Sequence, residues 1–222
     1  MNLIHAVFEP KGAGPHPTLL ALHGWGANAL DLLALAPYLC RGRFLVICPQ
    51  GPLEVPIGAA AVGYGWFPLT EGGPLDMPAV TSAGGKLGAF VKEALERYRV
   101  DARKLVVLGF SQGGVLACWL ALSEPGRFAA LVSLSSWLPA ELVEALPVTA
   151  DCGNLPTLVQ HGSRDQLIAV ERGRRSVETL RTLRVPVTYR EYDMGHEISQ
   201  KSFADLSSWL EEKVLSPILI AR

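Results

Sequence analysis

Short, unbroken apolar runs alternate with longer amphipathic stretches along this chain. The runs are Thr18–His23, Phe44–Cys48, Leu105–Phe110, Ala129–Leu134, Thr157–Gln160 and Val187–Tyr192. Most lack the in–out alternation of a strand with one wet face, so they predict strands covered on both faces. Helical spacing between them predicts helices near Ala29–Leu39, Ala79–Tyr98, Gly113–Leu122, Val170–Leu183 and Ser199–Val214. The repeated strand–helix order predicts an α/β fold, with a mostly parallel central sheet and helices on both faces. The alternation stops from Pro49 to Pro78, where Pro and Gly are frequent and Trp66-Phe67 stands in the middle. A loop of that length in a compact domain usually serves function, and two adjacent aromatics offer too much apolar area to be left in water. A second irregular stretch, Ser135–Leu155, carries Trp137-Leu138 directly after a strand.

Composition narrows the class. The 222 residues suit one domain, 1–222, and with 49% hydrophobic and 18% charged residues they can bury a deep core. The formal net charge is −1, and no basic cluster offers long-range attraction to phosphate backbones, so nucleic acid is not an expected partner. Cys40, Cys48, Cys118 and Cys152 are scattered, with no C-x-x-C pair, and read as structural thiols. The first ten residues lack a basic start, a long apolar stretch and a small-residue cleavage site. No apolar segment approaches the ~18–20 residues of a membrane span, so the expectation is a soluble, cytoplasmic protein without stable membrane insertion. The apolar tail 215–220 leaves two readings open, packing on the body or mediating a homodimer.

Gly109-Phe110-Ser111-Gln112-Gly113 is a G-x-S-x-G match lying between the apolar run Leu105–Leu108 and the apolar helical stretch that begins at Gly113. A strand that turns directly into a helix strains the residue at the turn and lifts its side chain clear of the sheet. The helix N-terminus then offers free N–H groups and positive dipole where negative charge develops. A plain helix-capping serine with flanking glycines is the competing interpretation, and the strand–turn–helix context favours the nucleophile.

A serine hydroxyl needs a base within hydrogen-bond reach, and the base needs an orienting acid. In folds with this elbow the order along the chain is serine, then acid, then histidine. Only His161 and His196 follow Ser111. His196 lies in the loop after the last strand and Asp165 in a turn after the Thr157–Gln160 strand, so both fall at the carboxyl edge of the sheet, where open α/β sheets place their sites. His161 reads as a structural histidine bonding loop backbone. Asp193 ends the same strand that leads to His196 and reads as a turn cap, while Asp151 and Glu197 are weaker candidates for the acid. His23-Gly24-Trp25-Gly26 follows the first strong strand, which makes the backbone N–H groups of Trp25 and Gln112 the candidate oxyanion donors.

With these residues in view, the chain resembles the carboxylesterase, lysophospholipase and acyl-protein thioesterase group of α/β-hydrolases over almost its whole length. The resemblance is carried by Leu22-His23-Gly24-Trp25-Gly26, Gly109-Phe110-Ser111-Gln112-Gly113-Gly114, His161-Gly162-Ser163-Arg164-Asp165, Gly195-His196 and Trp66-Phe67, with the Gly- and Ala-rich Ile57–Tyr64 matching least. It implies a lidless enzyme that uses no cofactor and no metal and acts on small carboxylic esters or acyl thioesters. It also supports Ser111, Asp165 and His196 as catalytic residues, with Trp25 and Gln112 as oxyanion donors. Trp66, Phe67, Trp137, Leu138 and Ile168 sit on segments expected at the site mouth, where apolar side chains favour a small to medium apolar acyl group.

Overall fold

The computed structural model describes residues 3–58, 60–70, 73–146 and 150–216. The part of the apolar tail beyond Ser216, on which the homodimer reading rested, lies outside the described residues. The strands in chain order are β1 (His5–Phe8), β2 (His16–Leu22), β3 (Leu45–Pro49), β4 (Leu53–Ile57), β5 (Ala61–Gly65), β6 (Val100–Phe110), β7 (Ala130–Leu134), β8 (Thr157–Gly162) and β9 (Val187–Tyr192). A seven-stranded sheet runs in the order β1-β3-β2-β6-β7-β8-β9. Every pairing in it is parallel except that of the edge strand β1 with β3.

The unbroken apolar runs have the expected cause. Alternate residues of each central strand enter opposite cores. Leu20, Leu22, Ile47, Val107, Leu131 and Val159 face one layer of helices, built from α2 (Met77–Arg97), α3 (Gln112–Ser123) and α5 (Val170–Thr182). Leu19, Ala21, Val46, Leu108, Val132 and Leu158 face the other, where Leu206, Trp209 and Leu210 of α6 (Gln200–Leu210) pack beside α1 (Ala29–Leu33). Helix α3 is apolar nearly all round because it is covered on two sides: the sheet lies beneath it and α2 crosses it so closely that Gly84 leaves no room for a Cβ against the Trp119 ring.

Several elements depart from the sequence expectation. Helix α1 starts at an Asn28–Asp31 capping box but stops at Leu33, five residues long, where a helix to Leu39 was expected. Leu35, Ala36 and Tyr38 then donate to carbonyls three residues back, because Pro37 has no N–H to continue the ladder and disfavours α-helical backbone before it. The Pro49–Pro78 stretch is partly structured: β4 and β5 form an antiparallel hairpin outside the main sheet. Within Ser135–Leu155 a short helix α4 forms over Ala140–Ala145. All four cysteines are buried, and burial pushes the Cys48 and Cys118 thiols up to about 12. Among the described residues no helix is long and apolar enough to cross a membrane.

Candidate active site

Ser111 occupies the turn from β6 into α3 with φ 54 and ψ −121, backbone angles a non-glycine residue adopts only where its surroundings impose them. Those surroundings are backbone. The Ser111 N–H donates to the Leu134 carbonyl at 2.9 Å, and the Ser136 hydroxyl donates to the Ser111 carbonyl at 2.7 Å. Any Cβ on Gly109 would overlap the Gly113 carbonyl, and one on Gly113 would overlap the Leu22 carbonyl. The glycines of the motif are thus required by close approach, and the strand-to-helix turn predicted from the sequence is present.

Asp165 and His196 are 31 residues apart, and backbone pairing between their loops brings them together. Ser163 N–H donates to Tyr192 O at 2.8 Å and Arg164 N–H to Met194 O at 3.1 Å, which zips the segment after β8 onto the segment after β9. Gly162 lies so close to the Met194 and Gly195 carbonyls that a side chain there would hold the two apart. His196 Nδ1 then meets Asp165 Oδ2 at 2.8 Å. Since a carboxylate only accepts, Nδ1 carries the proton and Nε2 is left as an acceptor. The other carboxylate oxygen, Oδ1, accepts from Leu167 N–H at 2.9 Å and Ile168 N–H at 2.8 Å, so the side chain is fixed and fully buried. His196 lies against Phe110, the residue before Ser111, with ring centroids 4.9 Å apart.

The carboxylates weighed as alternatives to Asp165 lie elsewhere, and His161 sits behind Asp165 with Nε2 3.4 Å from Oδ2. Asp193 is exposed and pairs with Arg164 at 2.7 Å, and Glu197 is exposed. His161 is fully buried and donates from Nε2 to the Ile168 carbonyl at 2.7 Å, which makes it a brace for the loop that carries Asp165.

His23 and Gln112 tie the remaining pieces to the elbow. Gly51 N–H donates to His23 Nε2 at 2.9 Å, so His23 Nδ1 holds the proton and donates to Gly24 O at 2.7 Å. Trp66 Nε1 donates to His23 O at 2.8 Å. The Gln112 side chain accepts from Trp66 N–H at 2.9 Å and donates to Phe67 O at 2.7 Å. Trp66 and Phe67 are therefore only 3% and 1% exposed, held in the core beneath the loop and not at its mouth, since their apolar area is worth more buried than wet. The hairpin docks on the same loop: Gly26 N–H donates to Tyr64 O at 2.9 Å, Tyr64 N–H donates to Ala27 O at 2.7 Å, and Gly65 passes directly under the Trp25 ring. Trp25 is 39% exposed. Its N–H meets no acceptor among the described residues, and Gln112, as the first residue of α3, leaves its own N–H outside the helix ladder.

Burial holds the His23 imidazole below its ordinary range, against a smaller opposing effect of its bond to Gly24 O. A histidine with a depressed folded-state value stabilises the fold above its unfolded value of 6.5, and that contribution disappears as pH falls through the lower folded value. Stability is accordingly expected to decline on acidification from about pH 6.5, by less in a His23→Gln variant. Urea denaturation midpoints at a series of pH values check this, and parallel curves for the two proteins would refute it.

A recess borders the serine. Gly24 lies where a Cβ would be 3.2 Å from Ser111 Cβ, and it borders a groove of about 260 Å³ lined by Ala27, Leu32, Leu35, Phe110 and Ile198. The sequence analysis did not single out these apolar residues, although Phe110 and Ile198 stand one and two residues from the motif serine and histidine. Trp137 and Leu138, 6% and 8% exposed, line a separate recess, and Ile168 packs half-buried against the core they belong to.

The family described as Phospholipase/Carboxylesterase matches residues 3–214. Among curated proteins, acyl-protein thioesterase 1 of Mycosarcoma maydis is 25% identical over 232 residues, covering 94% of this chain and 96% of that protein. Among solved structures, Zea mays acyl-protein thioesterase 2 is 26% identical with a TM-score of 0.74, covering 93% of this chain and 97% of that one. The Bacillus cereus carboxylesterase has a TM-score of 0.80 over 95% of this chain and 94% of its own, and at 21% identity that likeness bears on the fold alone.

Proposed function

The chain belongs to the phospholipase/carboxylesterase family of α/β-hydrolases and is an ester-bond hydrolase, and from that premise we propose that it is a serine carboxylesterase working through an acyl-enzyme on small to medium apolar acyl esters. The observation that carries the reading is the 2.8 Å contact of His196 Nδ1 with Asp165, together with the strained Ser111 turn at the same sheet edge.

In this mechanism Ser111 Oγ attacks the ester carbonyl while His196 Nε2 takes its proton. Asp165, charged and held by two backbone N–H groups, keeps the imidazole in the Nδ1–H tautomer and stabilises the cation that forms. The tetrahedral oxyanion sits between the N–H groups of Trp25 and Gln112, which have no competing acceptor to give up. His196 then protonates the leaving alcohol, and water repeats the sequence on the acyl-enzyme. The groove of about 260 Å³ beside Gly24, apolar but for Asp31 and His23, suits one apolar half of the ester. Trp66 and Phe67 serve from below, fixing the loop that presents the Trp25 N–H.

An acyl-protein thioesterase would use the same groups, and the similarity to two proteins of that name favours it as the second reading. Rates on an oxyester and thioester of one acyl chain separate the two. The proposal as a whole is tested by labelling with a fluorophosphonate: one equivalent is expected on the Ser111 peptide, abolished in His196→Ala. A label elsewhere, or none, would overturn it.

A further inference from the structure

Most arginines with a charged partner in this protein are conventional. Arg43, Arg103, Arg127, Arg164, Arg174 and Arg190 each reach a carboxylate oxygen. Arg41, Arg97, Arg99, Arg181 and Arg184 do not, and neither do Arg172 and Arg175, which differ from them in sharing one recess: among the described residues neither guanidinium of this pair forms an ion pair or a side-chain hydrogen bond. They lie three residues apart on one face of α5, and both line the recess of about 330 Å³ that Trp137, Leu138 and Leu75 complete. The Arg172 guanidinium stacks over Trp137, with Cζ 4.5 Å from the ring centroid. Glu141 lines the same recess without pairing with either arginine.

The placement runs against local electrostatics. Arg172 stands in the first turn of α5, where the helix dipole is positive and acidic residues are favoured, and the acid of that turn, Glu171, turns to Arg174 at 3.7 Å. Burial and the neighbouring Arg175 charge both push the Arg172 guanidinium below its ordinary range, and the charge of Glu141 opposes them only in part. A third donor is idle as well. Trp137 is 94% buried by its 6% exposure, and its indole Nε1 has no acceptor among the described residues. Two guanidiniums without ion pairs at one recess, one of them over an indole whose N–H has no acceptor among the described residues, are the chemistry of anion recognition.

The segments that line the recess are tied to the serine turn and to the Asp165 loop through short links. Ser136, which donates to the Ser111 carbonyl, is the residue before Trp137, and Leu138 N–H donates to Ser176 Oγ at 2.8 Å on the turn of α5 after Arg172. Arg172 in turn follows Ile168, whose N–H holds Asp165, by four residues.

We infer that this recess is an anion subsite, in which Arg172 and Arg175 over Trp137 bind a carboxylate carried on the acyl half of the ester substrate. The inference rests on the ester-hydrolase reading above but replaces its wholly apolar acyl group with one that ends in a carboxylate, so that the substrates are half-esters of dicarboxylic acids. A planar carboxylate suits bidentate pairing with a guanidinium.

The test compares monomethyl esters of the four- to eight-carbon dicarboxylic acids with methyl esters of the matching monocarboxylic acids, following methanol release. At one chain length the wild type is expected to favour the charged ester in kcat/KM by about ten- to a hundredfold, the usual range for a hydrogen bond to a charged group. The advantage should reside mainly in KM and shrink with added salt. Arg172→Met and Arg175→Met should each remove most of the ratio between charged and neutral esters, and Arg172→Lys should restore part of it. Arg175 is exposed, so its variant guards against a loosened Trp137 in the Arg172 variant. Equal kcat/KM for charged and neutral esters at every length, or a ratio unchanged in both Met variants, would overturn the subsite. A wild type that cleaves neither series would instead overturn the hydrolase reading beneath it.

Discussion

Replacing Ser111 by alanine is expected to lower kcat on a p-nitrophenyl ester by about a million-fold, with no loss of folding stability. The size follows from the work the hydroxyl is asked to do: without it no acyl-enzyme forms, and what remains is water attack assisted by the oxyanion donors, typically about 10³–10⁴ over the uncatalysed rate. Stability is unaffected because the features holding the turn, the Ser111 N–H to Leu134 and the Ser136 hydroxyl to the Ser111 carbonyl, are backbone groups of residue 111 that alanine retains. His196→Ala is expected to cost a similar factor, and the double variant scarcely more than either single one, because the two groups act as a unit. Turnover and urea midpoints measured side by side check both halves. Activity within a hundredfold of wild type in Ser111→Ala would remove Ser111 from the mechanism.

The second large effect is expected from one methyl group. Gly113→Ala adds a Cβ that overlaps the Leu22 carbonyl oxygen and comes within 2.6 Å of the His23 carbonyl oxygen. Both are backbone atoms at the end of β2, and neither can rotate aside as a side-chain tip would. Relief must come from displacing α3 or the His23–Gly26 loop, which are the two pieces that carry the candidate oxyanion donors. Overpacking of this kind costs about 1–3 kcal/mol, and misplacing a reacting group by an ångström costs about 10²-fold in rate. Gly85→Ala in α2 is the control: nothing lies within 4 Å of its added Cβ, and alanine in a helix interior is favoured over glycine by about 1 kcal/mol. Opposite shifts in urea midpoint are expected for the two variants, with activity lost only in the first. Matching midpoints would mean that the close approach at Gly113 carries no strain.

Legibility in the sequence followed the range of the interaction that fixes each feature. The central strands read clearly because a strand buried on both faces must be apolar at every position, and Leu105–Leu108 records that locally. The turn at Ser111 was equally plain, since its glycines answer to backbone only a few residues away. The length of α1 was misjudged because the apolar spacing continues past Pro37 while the hydrogen-bond ladder cannot. The β4–β5 hairpin was invisible for a different reason: Tyr64 finds its hydrogen-bond partners at Gly26 and Ala27, outside the stretch itself. Trp66 and Phe67 were recognised as important but placed at the mouth, because aromatic character alone does not say which way a loop faces. The clamp by Gln112 decided that.

By itself the sequence determined the layered α/β architecture, the strained serine at the end of β6, and the carboxyl edge of the sheet as the place where Asp165 and His196 fall. Those follow from short-range sterics and from the period of apolar residues, both written within a few consecutive positions. Tertiary structure alone decided that Asp165 and His196 touch, that the hairpin braces the Trp25 loop, and that Arg172 and Arg175 line one recess with Glu141 without pairing with it. Each of these depends on register between segments distant in the chain, and a contact of that kind exists only once the sheet has set its strands side by side.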